Sequence, residues 1–300
     1  MRALITGAGG FVGKHLEAHL VRCGDSVTSV DREHDVTDLA SVVALFESTH
    51  PEVIYHLAAL THVGDSWTNP VEFTRVNVLG TKNVLDAART AAPQAIVIFI
   101  SSSEVYGVVP EADLPVQETY RTAPANPYSS SKLEAEHSVM EAHRNFEQHT
   151  VIARPFNHVG PGQSPQFVVP AIARRLFEAR DAGRDEIAVG DLSTRRDITD
   201  VRDVVRAYRL LATYASSGEV YNVASGHDTA LSDVVDWLRN AIAPSISLVT
   251  DSSLLRPSEV PVMRGSFAKI HDATGWEPEI ALETSLHDVV EEIRLEERTA

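Results

Sequence analysis

The first thirteen residues limit the fold more than any other stretch. Arg2-Ala-Leu-Ile-Thr6 reads as a short buried strand, and it runs without a linker into Gly7-Ala-Gly-Gly10-Phe-Val-Gly13 and an amphipathic stretch over 15–22. A strand that meets a helix across a glycine turn belongs in a parallel sheet, with the helix folded back over one face. The alternation continues to about residue 160: strand-like runs at 26–30, 53–56, 95–101 and 151–154, and helical ones at 71–92 and 128–145. The predicted fold class is α/β, a doubly wound parallel sheet with helices on both faces.

Gly7 and Gly10 let the backbone turn tightly and approach a pyrophosphate, and Gly13 lets helix and sheet pack closely. The amides of Phe11 and Val12 open a helix whose amino end attracts an anion. The spacing reads G-x-x-G-x-x-G, with Val at position 12, and departs from G-x-G-x-x-G. A plain glycine turn has the same letters. What separates the two is the second strand, which ends in Asp31 about 20 residues on, where a carboxylate accepts from ribose hydroxyls. That carboxylate repels a 2′-phosphate and Arg32 beside it partly offsets the repulsion, so NAD is favoured as cofactor and NADP stays possible.

Past residue 160 the pattern loosens. Pro155, Pro161, Pro165 and Pro170 lead into a helix at 171–182, followed by short strands at 187–189, 220–223 and 246–249 and helices at 201–212, 231–241 and 283–298. We read 1–160 as a dinucleotide-binding domain, to which elements near 200–225 return, and 161–300 as mainly a smaller substrate lobe.

Composition narrows the class. The 300 residues are 43% hydrophobic and 23% charged, as in an ordinary globular protein. Apolar runs such as 95–100 are too short to span a bilayer and the amino end reads as a strand, so the cytoplasm is the expected compartment. A net charge of −16 argues against nucleic acid and anionic membranes as partners. The single cysteine, Cys23, excludes internal disulfides and is expected to be a structural thiol at the end of the first helix. Among the histidines, His34, His50, His56, His62, His137, His143 and His149 lack the paired spacing of zinc sites, so no metal is expected.

Open parallel sheets hold ligands beyond the carboxyl ends of their strands. The run 53–59 closes on Leu57-Ala58-Ala59, small enough for a close backbone approach, and 96–100 ends in Ser101-Ser102-Ser103-Glu104. Tyr128 and Lys132, four apart at a helix start, share one face. In hydride transfer to a carbonyl, a phenol delivers the proton while a serine hydroxyl holds the same oxygen. A free phenol titrates near pH ~10, and the Lys132 cation is expected to lower that value. A surface Tyr–Lys pair has the same letters.

Taken in order, these residues resemble the extended short-chain dehydrogenase/reductase superfamily, in its nucleotide-sugar-modifying branch, over nearly the whole chain. The resemblance implies a Rossmann-type fold, with Ser102, Tyr128 and Lys132 catalytic and Gly7, Gly10 and Gly13 as the glycine turn. It implies cofactor contacts from Asp31, Asp35-Val36, Leu57-Ala58-Ala59, Asn77 and Pro155, with Tyr128 and Lys132 also on the cofactor. Arg154-Pro-Phe-Asn157-His-Val-Gly-Pro-Gly162 resembles the stretch lining a nucleotide-sugar pocket, in which Asn157 meets sugar or phosphate and His158 is the one histidine near substrate. Ser103, Glu104 and Val168 join it, and Arg196 and Arg256 resemble positions that clamp a diphosphate, a task suited to planar guanidinium groups. Arg195 reads either way, as a clamp or as a solvent-facing neighbour.

Within the branch, segments 101–107, 154–162 and 256–261 look most like reductases of GDP-linked 4-keto-6-deoxymannose that form GDP-D-rhamnose. A 4,6-dehydratase using Glu104 as base, a hexose 4-epimerase and a dinucleotide sensor without turnover stay open. Relatives commonly pair as homodimers through a four-helix bundle, for which 71–92 and 128–145 are the candidates. Leu79, Val84, Leu85 and Ala88 would supply one apolar face there, or pack on the sheet of a monomer.

Overall fold

The computed structural model describes residues 1–254 and 260–299. Its strands are β1 (Arg2–Thr6), β2 (Ser26–Val30), β3 (Val53–His56), β4 (Ile96–Ile100), β5 (Thr150–Pro155), β6 (Asn157–Val159), β7 (Glu186–Val189), β8 (Arg195–Asp200), β9 (Val220–Val223), β10 (Asp228–Ala230), β11 (Ser247–Thr250) and β12 (Val262–Met263). The α-helices are α1 (Phe11–Arg22), α2 (Leu39–Thr49), α3 (Val63–Thr68), α4 (Pro70–Phe73), α5 (Gly80–Ala91), α6 (Pro127–Phe146), α7 (Val168–Asp181), α8 (Val201–Tyr214), α9 (Leu231–Ile242), α10 (Ala268–Thr274) and α11 (Leu282–Thr299).

Six strands form the main sheet in the order β2-β1-β3-β4-β5-β9, each parallel to its neighbour. The order reverses at β1, whose next strands in sequence lie on opposite sides of it, and a crevice opens there beyond the strand ends. Strands buried on both faces read as unbroken apolar runs, which is why Ile96-Val-Ile-Phe-Ile100 stands out by eye. One face packs Leu16, Leu20, Val204 and Tyr208 from α1 and α8, together with Ile270 and Trp276 from near the carboxyl end. The other packs Phe46, Val84, Leu85, Ala88 and Val139 from α2, α5 and α6.

A separate core joins α7, α9 and α11 to β7, through Phe177, Leu238 and Val290 among others. Between the two bodies lies a small sheet, β10-β8-β12, with β6 pairing onto β8. None of β6, β8, β10 and β12 is apparent from the sequence pattern, and neither is α2, capped by Asp38 through the amides of Ala40 and Ser41.

The helix expected at 71–92 is not continuous. Thr74–Leu79 winds as a π-helix between α4 and α5. The wider turn carries Asn77 inward, where it is 1% exposed. Three of the four residues suggested for a dimer face, Val84, Leu85 and Ala88, lie in the core of the sheet; Leu79 alone is exposed.

Candidate functional site

The glycine turn closes the crevice at β1. Gly7 has φ +73, and a Cβ there would lie 2.7 Å from the amide nitrogen of Ala58, just past β3. At Gly13 a Cβ would meet the carbonyl oxygens of Gly7 and Ala8 at 2.5 and 2.6 Å, which explains the close packing of α1 on β1. Gly10, by contrast, is crowded only by the Gly7 carbonyl at 3.3 Å. It is the N-cap of α1 and has no side-chain cap, which leaves the first turn of α1 to point its amides at the crevice. A Cβ at Gly9, a further position of the turn, would meet the Asp31 carboxylate, a side chain that can shift aside. A cradle without side chains, a helix amino end and an acid beside it fit a dinucleotide's pyrophosphate and ribose.

The surroundings are less uniform than expected. Arg32 is exposed, and Asp35 accepts from the amide and hydroxyl of Thr37 and faces Arg75 at 3.8 Å. Val36 is buried with Gly80 against it, and Asn83 donates to its carbonyl, so its side chain belongs to the core. Phe11 contributes its ring as well as an amide: it stacks on His158 at 6.0 Å and 11° and meets His15 edge-on. Leu57, Ala58 and Ala59 line the edge half-exposed, and Ala58 N donates to Thr6 Oγ1. Beneath them His56 hydrogen-bonds Thr6 and Thr81; burial, aided by the Lys132 charge, pushes its pKa down to about 3, so the ring is neutral.

Tyr128, Lys132 and Ser102 converge beyond β4. All three are buried, at 7%, 4% and 9% exposure. Asn126 caps α6 by accepting from Ser129 N, and Ser129 Oγ accepts from Asn126 N in return, which fixes the helix start one turn before the reactive face. The Tyr128 hydroxyl lies within electrostatic reach of Ser102, and its ring meets Phe73 edge-on. Burial pushes the phenol up to about 12, against the effect of Ser102 and with help from Glu104. This reverses the expected direction: Lys132 is not among the groups that move Tyr128. Its Nζ donates to the Ile100 carbonyl at 2.7 Å, and burial, opposed by Glu136, lowers its own pKa to about 7.

Asn77 ties this group to the cofactor edge. Its Nδ2 donates to Ser131 Oγ at 2.9 Å and to the Leu60 carbonyl at 3.0 Å, while Leu60 N donates to its Oδ1. The sequence names Asn77; the π-helix that aims it and its partner Ser131 leave no pattern of their own. Glu104 Oε2 accepts from Asn126 Nδ2 at 3.2 Å, so the carboxylate braces the cap of α6. Ser103 is buried beside it.

On the far side, Pro155 is buried at the end of β5, Asn157 is exposed on β6, and Val168 opens α7 at 42% exposure. Burial holds His158 below its usual pKa, and its Nδ1 hydrogen-bonds the Phe156 carbonyl. Arg196 on β8 donates to the Arg195 carbonyl at 3.0 Å. Arg195 is neither a free clamp nor simply solvated: Asp228 bridges it, at 2.5 Å, to Arg264, at 2.9 Å. Arg256 lies outside the described residues. Cys23 caps α1 but is exposed, which corrects the expectation of a structural thiol. No helix among the described residues is long and apolar enough to cross a membrane.

Comparison with known proteins agrees with this geometry. The family described as GDP-mannose 4,6 dehydratase matches residues 32–289. GDP-6-deoxy-D-mannose reductase of Pseudomonas aeruginosa is 35% identical over 292 residues, covering 96% of each chain. The solved structure of RMD from Pseudomonas aeruginosa complexed with NADPH superposes with a TM-score of 0.90 at 35% identity, over 98% of this chain and 100% of that one. UDP-glucose 4-epimerase of Thermus thermophilus, solved with NAD, gives a TM-score of 0.87 at 27% identity, over 98% and 99%.

Proposed function

Because the chain belongs to the GDP-mannose 4,6 dehydratase family of extended short-chain dehydrogenases/reductases, we propose that it reduces the C4 ketone of a nucleotide-linked 4-keto-6-deoxy sugar. The substrate we assign is GDP-4-keto-6-deoxymannose and the product GDP-D-rhamnose. The observation that carries this reading is the burial of Ser102, Tyr128 and Lys132 together at the strand edge beside the glycine cradle. A reduced nicotinamide, held by the turn at Gly7, Gly9 and Gly10, Asp31 and the 57–59 edge, supplies the hydride when bound. A phenol pushed up to about 12 keeps its proton at neutral pH and has it to give. Tyr128 donates that proton to the ketone oxygen, and Ser102 steadies the same oxygen with a hydrogen bond.

Glu104 supports reduction over dehydration. A dehydratase needs a free carboxylate to take the C5 proton, and here that carboxylate accepts from the cap of α6. We assign residues 1–160 and the returning 200–225 segment to the dinucleotide, and most of 161–300, with Asn157, Val168, Arg196 and Arg256, to the nucleotide sugar. The relatives' NADPH and NAD leave cofactor choice to Asp31, which favours NADH, against Arg32. We also propose a cytoplasmic homodimer, packed through the outer sides of α4–α5 and α6, where Leu79 and Phe146 are exposed; light scattering should give twice the chain mass.

The test is direct. With GDP-4-keto-6-deoxymannose and NADH or NADPH, absorbance of the reduced cofactor should fall in step with formation of GDP-D-rhamnose. Dehydration of GDP-mannose without cofactor consumption would instead establish the dehydratase reading.

A further inference from the structure

Beneath the site lie four polar side chains that the proposed chemistry does not use: Glu136, Arg154, Tyr106 and Asn222, between 0% and 3% exposed. Arg154 on β5 forks onto Glu136 on α6, Nε donating to Oε1 at 2.8 Å and Nη2 to Oε2 at 2.6 Å. Its remaining arm, Nη1, donates to the Tyr106 hydroxyl at 2.9 Å, which donates in turn to Asn222 Oδ1 on β9 at 2.8 Å. Asn222 Nδ2 completes the chain at the Val116 carbonyl.

A buried ion pair is weak evidence for stability, since apolar residues of similar volume hold elements together as well or better. The placement of this one points elsewhere. Glu136 follows Lys132 by four residues, one turn along the same face of α6. Tyr106 follows Ser102 by four and ends the 3₁₀ turn that Ser102 caps. Arg154 touches both. It is therefore a strut between the segment that carries Ser102 and the helix that carries Tyr128 and Lys132.

We infer that Arg154 and Glu136 are positioning residues for the reaction: Arg154 with Tyr106 sets Ser102 in register with Tyr128, and Glu136, one helical turn on from Lys132, supplies the buried carboxylate that offsets part of the cost of charging it. The inference rests on the reductase reading for its kinetic consequence but not for its electrostatic one.

The groups facing Lys132 make the second half specific. On α6 they are Tyr128 and Glu136; from β3, the neutral His56; from β4, the Phe99 ring at 5.0 Å and the Ile100 carbonyl. The Arg154 charge on β5 is taken up by Glu136, which also holds the guanidinium protonated against burial. Glu136 is the one carboxylate in this set. Burial works to discharge Lys132, and Glu136 works against burial.

Lysine occurs only at 14, 82, 132 and 269, so ε-¹³C-lysine labelling resolves Lys132 by NMR with no turnover needed. Glu136→Gln should lower the Lys132 midpoint by about one pH unit or more. That variant strands Arg154, so the double variant Glu136→Leu/Arg154→Met, which removes both charges and keeps the volume, should fold, and because the guanidinium leaves with the carboxylate its Lys132 midpoint should fall less than that of Glu136→Gln. Tyr106→Phe spares the ion pair; it should leave the Lys132 midpoint in place and cut kcat roughly tenfold at unchanged KM. A Lys132 midpoint at its wild-type value in folded Glu136→Gln overturns the inference, whatever the substrate. Wild-type kcat in Tyr106→Phe, in an enzyme that does reduce the ketose, overturns it too. Failure of the wild type to consume reduced cofactor counts against the proposed function alone, and the lysine titration still decides this one.

Discussion

The glycine end would offer an anion backbone amides with no side chain in the way; the β10-β8-β12 sheet would offer it guanidinium groups already engaged by their own neighbours. The first surface is shaped by covalent geometry. Gly7, Gly9 and Gly13 each lie where one added carbon collides with backbone or with Asp31. The second is shaped by charge, with Asp228 shared between Arg195 and Arg264 and with Arg196 on the Arg195 carbonyl. A cradle of the first kind tolerates almost no change and costs little to organise on binding. A cluster of the second kind adjusts, and loses affinity by degrees.

The contrast presumes that chemistry happens between the two surfaces, at Tyr128. Tyr128→Phe removes the proton donor and nothing else, so kcat should drop by roughly 10²–10⁴ while both ligands still bind; retained turnover in the cofactor-consumption assay would remove the premise. Next in size is Gly7→Ala. A Cβ there meets the Ala58 backbone at 2.7 Å in a left-handed conformation, and strain of this kind costs about 1–3 kcal/mol, which is roughly five- to 150-fold in dinucleotide affinity, with the nucleotide sugar unaffected. Titration calorimetry with each ligand separates the two, and equal losses would mean that the turn supports the whole fold and not the cofactor alone. Arg196→Ala should do the reverse, raising KM for the nucleotide sugar about tenfold, the value of a charge-assisted hydrogen bond, at unchanged cofactor affinity.

The same contrast explains what could be read in advance. The inner strands of the main sheet, β1, β3, β4 and β5, are buried along most of their length, so composition alone marks them, and glycine spacing marks the turn. Gly9 was passed over because the spacing pattern treats its place as free; its constraint comes from Asp31, which only the fold brings near. The arginine sheet has no such signature. β8, β10 and β12 are six, three and two residues long and come from well-separated segments, and nothing local says that they pair. Likewise the sequence puts Lys132 one turn from Tyr128, but depth of burial is a tertiary quantity, and depth decided the direction in which the phenol moved.

Depth also gives the smallest and most diagnostic prediction, because it moves activity and stability in opposite directions. Burial lowers Lys132 to about 7, whereas an unfolded lysine titrates near ~10.4. Between those values the unfolded chain binds more protons than the folded one, so the contribution of this group to stability rises with pH across the window. Below it, the full cost of burying the ammonium is present. Lys132, expected on the cofactor, would serve there as a cation, so turnover should decline as pH rises through about 7. Lys132→Met should accordingly melt above wild type at pH ~6.5, by at least about 2 °C, the shift that ~1 kcal/mol gives a domain of a few hundred residues. The gap should close as the buffer is made more alkaline, while the activity of the wild type falls. Melting curves of the two proteins across that range, set beside the wild-type pH–rate profile, check both signs at once; a gap that does not change with pH would place the lysine in water, and the buried site with it.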